Sequence, residues 1–261
     1  MKVSVITVCY NRAAIIEDTL RSVAEQTHAD TEHIVIDGNS SDGTMDIVNR
    51  YRARLAHVVS EPDGGIYDAM NKGLALASGD IIGFLNSDDI YADANVLESV
   101  AGAFADPAVE ACYADLVYVA KNDWNKVVRY WKSNIYRYGL CRSGWMPAHP
   151  TFFVRRNVFA RYGGFDLQFR LQSDFELTMR LLEVHRIKSV YIPRVLVKMR
   201  LGGATNKNLS NILKGNLEAY RACRKNGFAV TPFFMLRKVL SRLPQFFAKP
   251  PAGLTKEQPR P

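Results

Sequence analysis

The chain has 261 residues, 48% hydrophobic and 23% charged, which suffices for a sizeable core in one domain, or one domain plus an appendage. Its formal net charge is +8, yet from Arg221 onward nine basic residues face the single acid Glu257, so the first 220 residues are close to neutral. That placement argues against a nucleic-acid footprint on the folded part, and the absence of repeats and low-complexity runs argues against a fibrous or solenoid chain.

In chain order, Val3 to Val8 is a β-branched run that reads as a buried strand ending at Tyr10-Asn11-Arg12. Residues 13–26 carry Ile15, Ile16, Leu20 and Val23 at helical spacing. His33 to Ile36 is a second strand, stopped by the turn formers Asp37-Gly38-Asn39-Ser40-Ser41-Asp42-Gly43. A helix over Thr44–Leu55, a strand over Ala56–Ser60, a helix over Tyr67–Ala77, a strand over Asp80–Leu85 and a helix over Val96–Phe104 follow. Strands alternating with helices predict a mainly parallel central sheet flanked by helices, an α/β fold whose ligands bind beyond the carboxyl ends of the strands. Tyr10-Asn11, Asp37, Glu61-Pro62-Asp63 and Asn86-Ser87-Asp88-Asp89 all fall at such ends. The second half is less regular: strands at Ala111–Lys121, Thr151–Val154 and Ser189–Ile192, helices at Phe175–Val184 and 207–225, and an aromatic, basic stretch from Arg129 to Ser143. The last ten residues or so, rich in Pro and Lys, are expected to be disordered.

Several groups carry chemistry. Asp88 and Asp89 are adjacent carboxylates after a buried strand; they read either as a solvated helix cap or as oxygen ligands for Mg²⁺ or Mn²⁺. Asp37 reads either as an Asx-turn or as an acceptor for a nucleoside. Lys72, in the helix after Gly64-Gly65, could pair with phosphate or with nearby acids. No GxGxxG follows the first strand and no GxxxxGK[ST] occurs, so any nucleotide is held by other means. The four cysteines are widely spaced without a CxxC pair, which favours buried free thiols in a reducing compartment. Met1-Lys2 leads straight into the first strand and no run of about 18 apolar residues exists, so neither a secretory leader nor a membrane span is expected and a cytoplasmic location is.

Val5-Ile6-Thr7-Val8-Cys9-Tyr10-Asn11, Ile36 to Thr44, Glu61 to Gly73 and Asn86-Ser87-Asp88-Asp89, in this order, resemble the family 2 glycosyltransferases of the GT-A fold, of the kind that builds bacterial cell-surface polysaccharide. The resemblance implies a nucleotide-sugar half over 1–105 and an acceptor half over 106–220. It implies that Thr7, Tyr10 and Asn11 line the nucleoside pocket, that Asp37 bonds the base, and that Glu61 and Lys72 flank the ribose and diphosphate. Asp88 and Asp89 resemble the DxD motif, Asp88 toward the ribose and sugar and Asp89 on a Mn²⁺ or Mg²⁺ ion; Asn86 stands where an acid is frequent. More weakly, Met146 to Phe153 resembles the strand bearing a histidine, His149, on the acceptor side. Gln172-Ser173-Asp174-Phe175-Glu176 resembles the motif supplying the catalytic base, with Asp174 the base or a helix N-cap and Glu176 the second candidate. Arg200 to Thr205 resembles a Gly-Gly element closing over the diphosphate, with Arg200 a phosphate partner or a surface arginine.

The implied activity is inverting transfer of a sugar from a nucleotide diphosphate sugar, UDP by family frequency, to a saccharide or lipid-linked acceptor. A nucleotidyltransferase and a non-catalytic nucleotide-sugar binding or adaptor protein are the alternatives. Residues 221–261 form a basic tail in which Phe228, Phe233, Phe234, Phe246 and Phe247 alternate with cations. It is read as a helical extension whose residues 228–249 dock on an anionic membrane surface, or else pack on the domain.

Overall fold

The computed structural model describes residues 1–202, 209–231 and 233–240, with Gln245, Ala248 and Pro250 singly. Gly203 to Thr205, Phe246, Phe247 and the final ten residues lie outside the described residues. The first half alternates as the sequence predicts: β1 (Val3–Cys9), α1 (Ile16–Ala24), β2 (Thr31–Asp37), α2 (Thr44–Arg50), β3 (His57–Ser60), α3 (Ile66–Leu76) and β4 (Ile81–Phe84). These strands are parallel in the order β3-β2-β1-β4. Their runs are apolar at consecutive positions because both faces are covered. Ile6, Ile34, Ile36 and Ile82 pack on Ala69 and Met70 of α3, while Cys9 and Val35 pack on Ile16 and Leu20 of α1. Cys9 pairs with Asp37 and Asp37 with Ser60, so β1, β2 and β3 end level with one another.

The second half makes the sheet mixed. β5 (Asp89–Tyr91), α4 (Val96–Ala103), β6 (Ala111–Ala120), β7 (Asp123–Trp131), β8 (Phe153–Arg155), α5 (Arg156–Tyr162), α6 (Ser173–Met179), β9 (Ser189–Arg200), α7 (Leu209–Lys225) and α8 (Phe233–Leu240) follow. β8 lies antiparallel between β4 and β6, β9 runs parallel to β6, and β5 and β7 pair antiparallel with β9 and β6. α5, which has no counterpart in the sequence expectation, and three further elements differ from it. β5 begins inside the acidic motif, so Asp89 is a strand residue. β7 occupies most of the stretch before Lys132: its charges alternate on an exposed edge strand, a pattern with no continuous apolar run. β9 continues past Pro193, where its pairing jumps from Ile192 opposite Ala114 to Val195 opposite Asp115; the bulge absorbs the missing N–H.

All four cysteines are buried and free. The helix α7 crosses the boundary expected between 220 and 221. α8 packs Phe234 against Phe175 of α6 and among Ala219, Ala222 and Cys223 of α7. Lys238, 2% exposed, sets Nζ 2.5 Å from Gln172 Oε1. The start of the basic tail is thus part of the domain's packing.

Candidate active site

The loops that follow β1 and β2 are stitched together. Asn11, at φ 52°, donates its amide to Ser40 Oγ at 2.8 Å and accepts from the Ser41 amide at 3.0 Å; Arg12 N–H donates to Thr44 Oγ1 at 2.7 Å. Asp42 caps α2 through the Thr44 amide (3.0 Å) and accepts from Ala13 N–H (3.1 Å). Asp37 is fully buried, and its carboxylate accepts from Ser40 N–H at 2.9 Å, Ser40 Oγ at 2.5 Å and Ser60 Oγ at 2.7 Å. Asp37 and Asn11 therefore organise the loop from within. Thr7 is also fully buried, 3.0 Å from His33 Nε2, whose pKa burial pulls down to about 3. What this end of the sheet presents outward is Tyr10, 59% exposed, beside Gly38. A side chain at Gly38 would meet Asp63 Oδ2 at 2.6 Å and the Tyr10 ring at 3.4 Å, so it would have to displace the Asp63 carboxylate.

Glu61 is tied to this cluster through its backbone N–H, which donates to Asp37 O at 3.0 Å. Its carboxylate pairs with Lys72 Nζ at 2.8 Å, and Lys72 also donates to Pro62 O at 2.9 Å. The Glu61 bond pushes the lysine's pKa up, so it stays a cation at the rim. Asn71 clamps the backbone of Phe165 through two 2.9 Å bonds.

The acidic motif sits beyond β4. Asp88 is half-buried; Asp89 is 1% exposed. Asp89 Oδ2 accepts from Asn86 Nδ2 at 3.2 Å, while Asp89 Oδ1 and Asn86 Oδ1 are buried with no partner among the described residues. Burial, and secondarily the Asp88 charge, pushes the Asp89 pKa well above its ordinary range. A carboxylate with a bare buried oxygen is costly unless a cation completes it. The set is hard oxygen throughout, which fits Mg²⁺ or Mn²⁺. Among the described residues no group of three or more His, Cys, Asp or Glu side chains could hold a metal ion, so the remaining ligands would be phosphate and water oxygens. The pairing of Asp89 with Met199 brings Arg200 alongside. Its guanidinium is held by Asp18 (2.5 Å) and Lys121 O (2.9 Å) and lies 4.0 Å from the Trp124 ring centroid, leaving Nε buried without a partner among the described residues.

An aromatic chain runs from this motif into the second half. Phe84 stacks on His149 at 5.7 Å, Phe165 meets both edge-on at 5.0 and 5.6 Å, and Tyr67 stacks on Phe165 at 5.4 Å. Tyr67 donates its hydroxyl to Asp174 Oδ1 at 3.1 Å. Asp174, half-buried in the first turn of α6, also receives the Phe175 N–H on Oδ1 at 2.8 Å. Both of these bonds fall on Oδ1. Both ring nitrogens of His149 are buried and have no hydrogen-bond partner among the described residues, and burial lowers the histidine's pKa against the opposing pull of Asp174. Sequence reasoning named Asp174 and His149 but missed Tyr67, although it lies in the Gly-Gly-Ile-Tyr stretch; its signal was a tyrosine opening a helix after that glycine pair.

Glu176 is 2% exposed and chelated by Arg180 Nε at 3.0 and 3.3 Å, and it also accepts from Asn226 Nδ2 at 3.2 Å. This pair braces α6 against the 162–164 backbone through the same arginine, which donates to Gly164 O at 2.6 Å. Glu176→Ala is expected to cost about 3 kcal/mol in a denaturant melt by stranding the arginine, with turnover of the folded fraction retained. A loss of turnover at full stability would make Glu176 the base instead.

The family model described as Glycosyl transferase family 2 matches residues 4–163. A PGL/p-HBAD biosynthesis glycosyltransferase of Mycobacterium bovis is 29% identical over 209 residues, covering 78% of each chain. The mannosyltransferase PcManGT of Pyrobaculum calidifontis, solved with GDP-Man and Mn²⁺, superposes with a TM-score of 0.66 at 21% identity, over 94% of this chain and 73% of that one. Residues 1–349 of S. aureus TarS, solved with UDP-GlcNAc, superpose with a TM-score of 0.62 at 20% identity, over 94% and 78%. Both superpositions identify the GT-A fold.

Proposed function

The chain belongs to glycosyl transferase family 2, and on that premise we propose that it transfers a sugar with inversion from a UDP-sugar to a hydroxyl of a saccharide or lipid-linked acceptor in cell-surface polysaccharide or glycolipid assembly. The observation that supports this reading most is that the Asn86–Asp89 segment, with bare buried oxygens on Asn86 and Asp89 among the described residues, is joined by the Phe84–His149–Phe165–Tyr67 contacts to Asp174, whose bonds from Tyr67 and the Phe175 amide both fall on Oδ1.

In this reading the nucleoside rests against Tyr10 and Gly38, on a loop that Asn11, Asp37 and Thr7 hold rigid from below. Glu61 and Lys72 line the rim toward the diphosphate. Asp89 and Asp88, with Asn86, hold Mn²⁺ or Mg²⁺, which supplies charge neutralisation of the departing diphosphate. Arg200 lies beside them as a fixed positive charge. Asp174 takes the proton of the acceptor hydroxyl on Oδ2 while Tyr67 and the Phe175 amide fix Oδ1. A single base facing the donor gives one displacement, hence inversion. His149 offers its unpaired nitrogens to acceptor or sugar hydroxyls.

No helix among the described residues is long and apolar enough to cross a membrane. Peripheral docking on an anionic surface is supported by exposed Leu213, Leu217, Phe233 and Leu240 on the basic C-terminal helices, at the cytoplasmic face.

The test is release of nucleoside diphosphate from a panel of UDP-, GDP- and dTDP-sugars by purified protein with Mn²⁺, Mg²⁺ or EDTA, with donor binding measured in the same samples. Metal-dependent binding and release from a UDP-sugar is the expected result. Binding and release from a GDP- or dTDP-sugar alone would correct the donor; neither binding nor turnover of any donor by folded protein would sink the proposal.

A further inference from the structure

A second cavity lies in the acceptor half, of about 470 Å³, within the range of small-molecule sites. It is formed where β7 ends, between the half-buried indoles of Trp131 and Trp145 and beside Tyr130. Its wall is held in place by a carboxylate. Asp115, 2% exposed, accepts from the Tyr130 hydroxyl, from Tyr191 Oη at 2.8 Å and from the Ser133 amide at 2.7 Å. Tyr136 stacks on Trp145 at 5.8 Å and fixes the other side. Ser133 is 5% exposed, lines the cavity, and its Oγ is buried without a hydrogen-bond partner among the described residues. Lys132 and Asn134, exposed on either side of it, add donors at the mouth.

We propose that this cavity binds a saccharide unit of the acceptor, remote from the hydroxyl that is glycosylated. The lining chemistry is that of pyranose recognition: the indoles of Trp131 and Trp145 for the apolar C–H face of a sugar ring, with a hydroxyl, an amide and an ammonium for its rim. A purely apolar ligand would leave Ser133 Oγ unsatisfied, which is costly in a buried site. Position ties the cavity to the reaction centre. Trp131 pairs with Leu116 of β6, and Thr151, two residues after His149, bonds both backbone groups of Ala114. Trp145 meets Tyr113 edge-on at 5.7 Å, so the strand end, the Trp145 segment and the His149 turn all lie along β6 between Tyr113 and Leu116, which puts the cavity and the His149 turn against the same strand. Gln245 also lines it and accepts from Arg129 Nε at 2.9 Å, which puts part of the basic tail against the same ligand.

The inference rests on the glycosyltransferase reading for why a sugar chain is present, and its test needs neither donor nor metal. Tryptophan emission of the full chain is titrated with methyl pyranosides of glucose, galactose, mannose, rhamnose and glucuronic acid, and with phenol, in EDTA. A saturable change with at least one pyranoside is expected in wild type and in Asp174→Asn, weakened about ten-fold in Ser133→Val, where one hydrogen bond is lost. Ser133 Oγ bonds nothing in the described fold, so that variant breaks no hydrogen bond there; a thermal melt checks the folding of each variant, and Trp145→Ala serves as a second, more severe one. Absence of a response to every pyranoside, a response to phenol alone, or an unchanged response in both cavity variants would overturn the proposal. Donor release in the separate panel reports on the proposed function whichever of these occurs.

Discussion

Asp174→Asn is expected to lower kcat for transfer by about 10²- to 10⁴-fold, the usual contribution of a positioned general base, with donor affinity and folding unchanged. The amide keeps the shape of the carboxylate and can still accept from Tyr67 and the Phe175 amide, so the first turn of α6 has no reason to move. It cannot take up the acceptor proton. The carboxylate is half-buried and stands close enough to His149 for its charge to oppose that histidine's lowered pKa. Tyr67→Phe should reproduce a small part of the loss, because it removes the hydroxyl that orients Oδ1. A variant with wild-type kcat would transfer the base role elsewhere. A variant that loses donor affinity in equal measure would mean that Asp174 supports the donor site.

The parts of this fold that the sequence disclosed were those in which local pattern and tertiary environment agree. β1, β2 and β4 are buried over almost their whole length, so runs of Val and Ile mark them even with Ser4, Thr7, Glu32 and His33 among their buried residues, and α1 shows its buried stripe directly. The polar segments at their carboxyl ends could be located before any contact was known, because a parallel sheet sends those ends to one edge. β7 was not disclosed. An edge strand with solvent on one side carries alternating charges, and Lys126 and Arg129 mask its pairing with β6. The second part of β9 was hidden by Pro193, which ends a strand in a sequence reading but here sits in a bulge.

The site divides along the same line. Residue types announced the acids, and neighbours decided what each acid does. Asp37 and Asp89 both follow strands and both are buried, yet Asp37 finds three hydroxyl or amide donors within its own loops while Asp89 keeps an oxygen bare. Asp174 and Glu176 are two residues apart on one helix. The arginine one turn further on consumes Glu176 and cannot reach Asp174, which leaves only one of them available for a substrate. That distinction depends on where Arg180 and Asn226 lie in three dimensions, and spacing along the chain does not contain it.

The second large effect concerns Asp89. Its carboxyl is pushed well above 3.8 by burial and by Asp88, so in the metal-free protein ionisation favours the unfolded chain. The sign follows from proton uptake: the folded state holds the proton to higher pH than the unfolded state, so this group's contribution to stability is lost as pH rises above the unfolded value. A divalent cation reverses the balance by stabilising the ionised form in the fold. Asp89→Asn is therefore expected to leave the melting temperature in EDTA at pH 7 unchanged or higher. The wild-type rise in melting temperature on adding Mn²⁺ with UDP should disappear in the variant. Nucleoside diphosphate release from the donor should fall by about 10³-fold, equivalent to roughly 4 kcal/mol of transition-state charge stabilisation. The paired measurement separates two explanations that activity alone would confuse. A variant that melts much lower in EDTA would show Asp89 to be an ordinary structural carboxylate. A variant that keeps its Mn²⁺-dependent stabilisation would move the metal away from the Asn86–Asp89 oxygens.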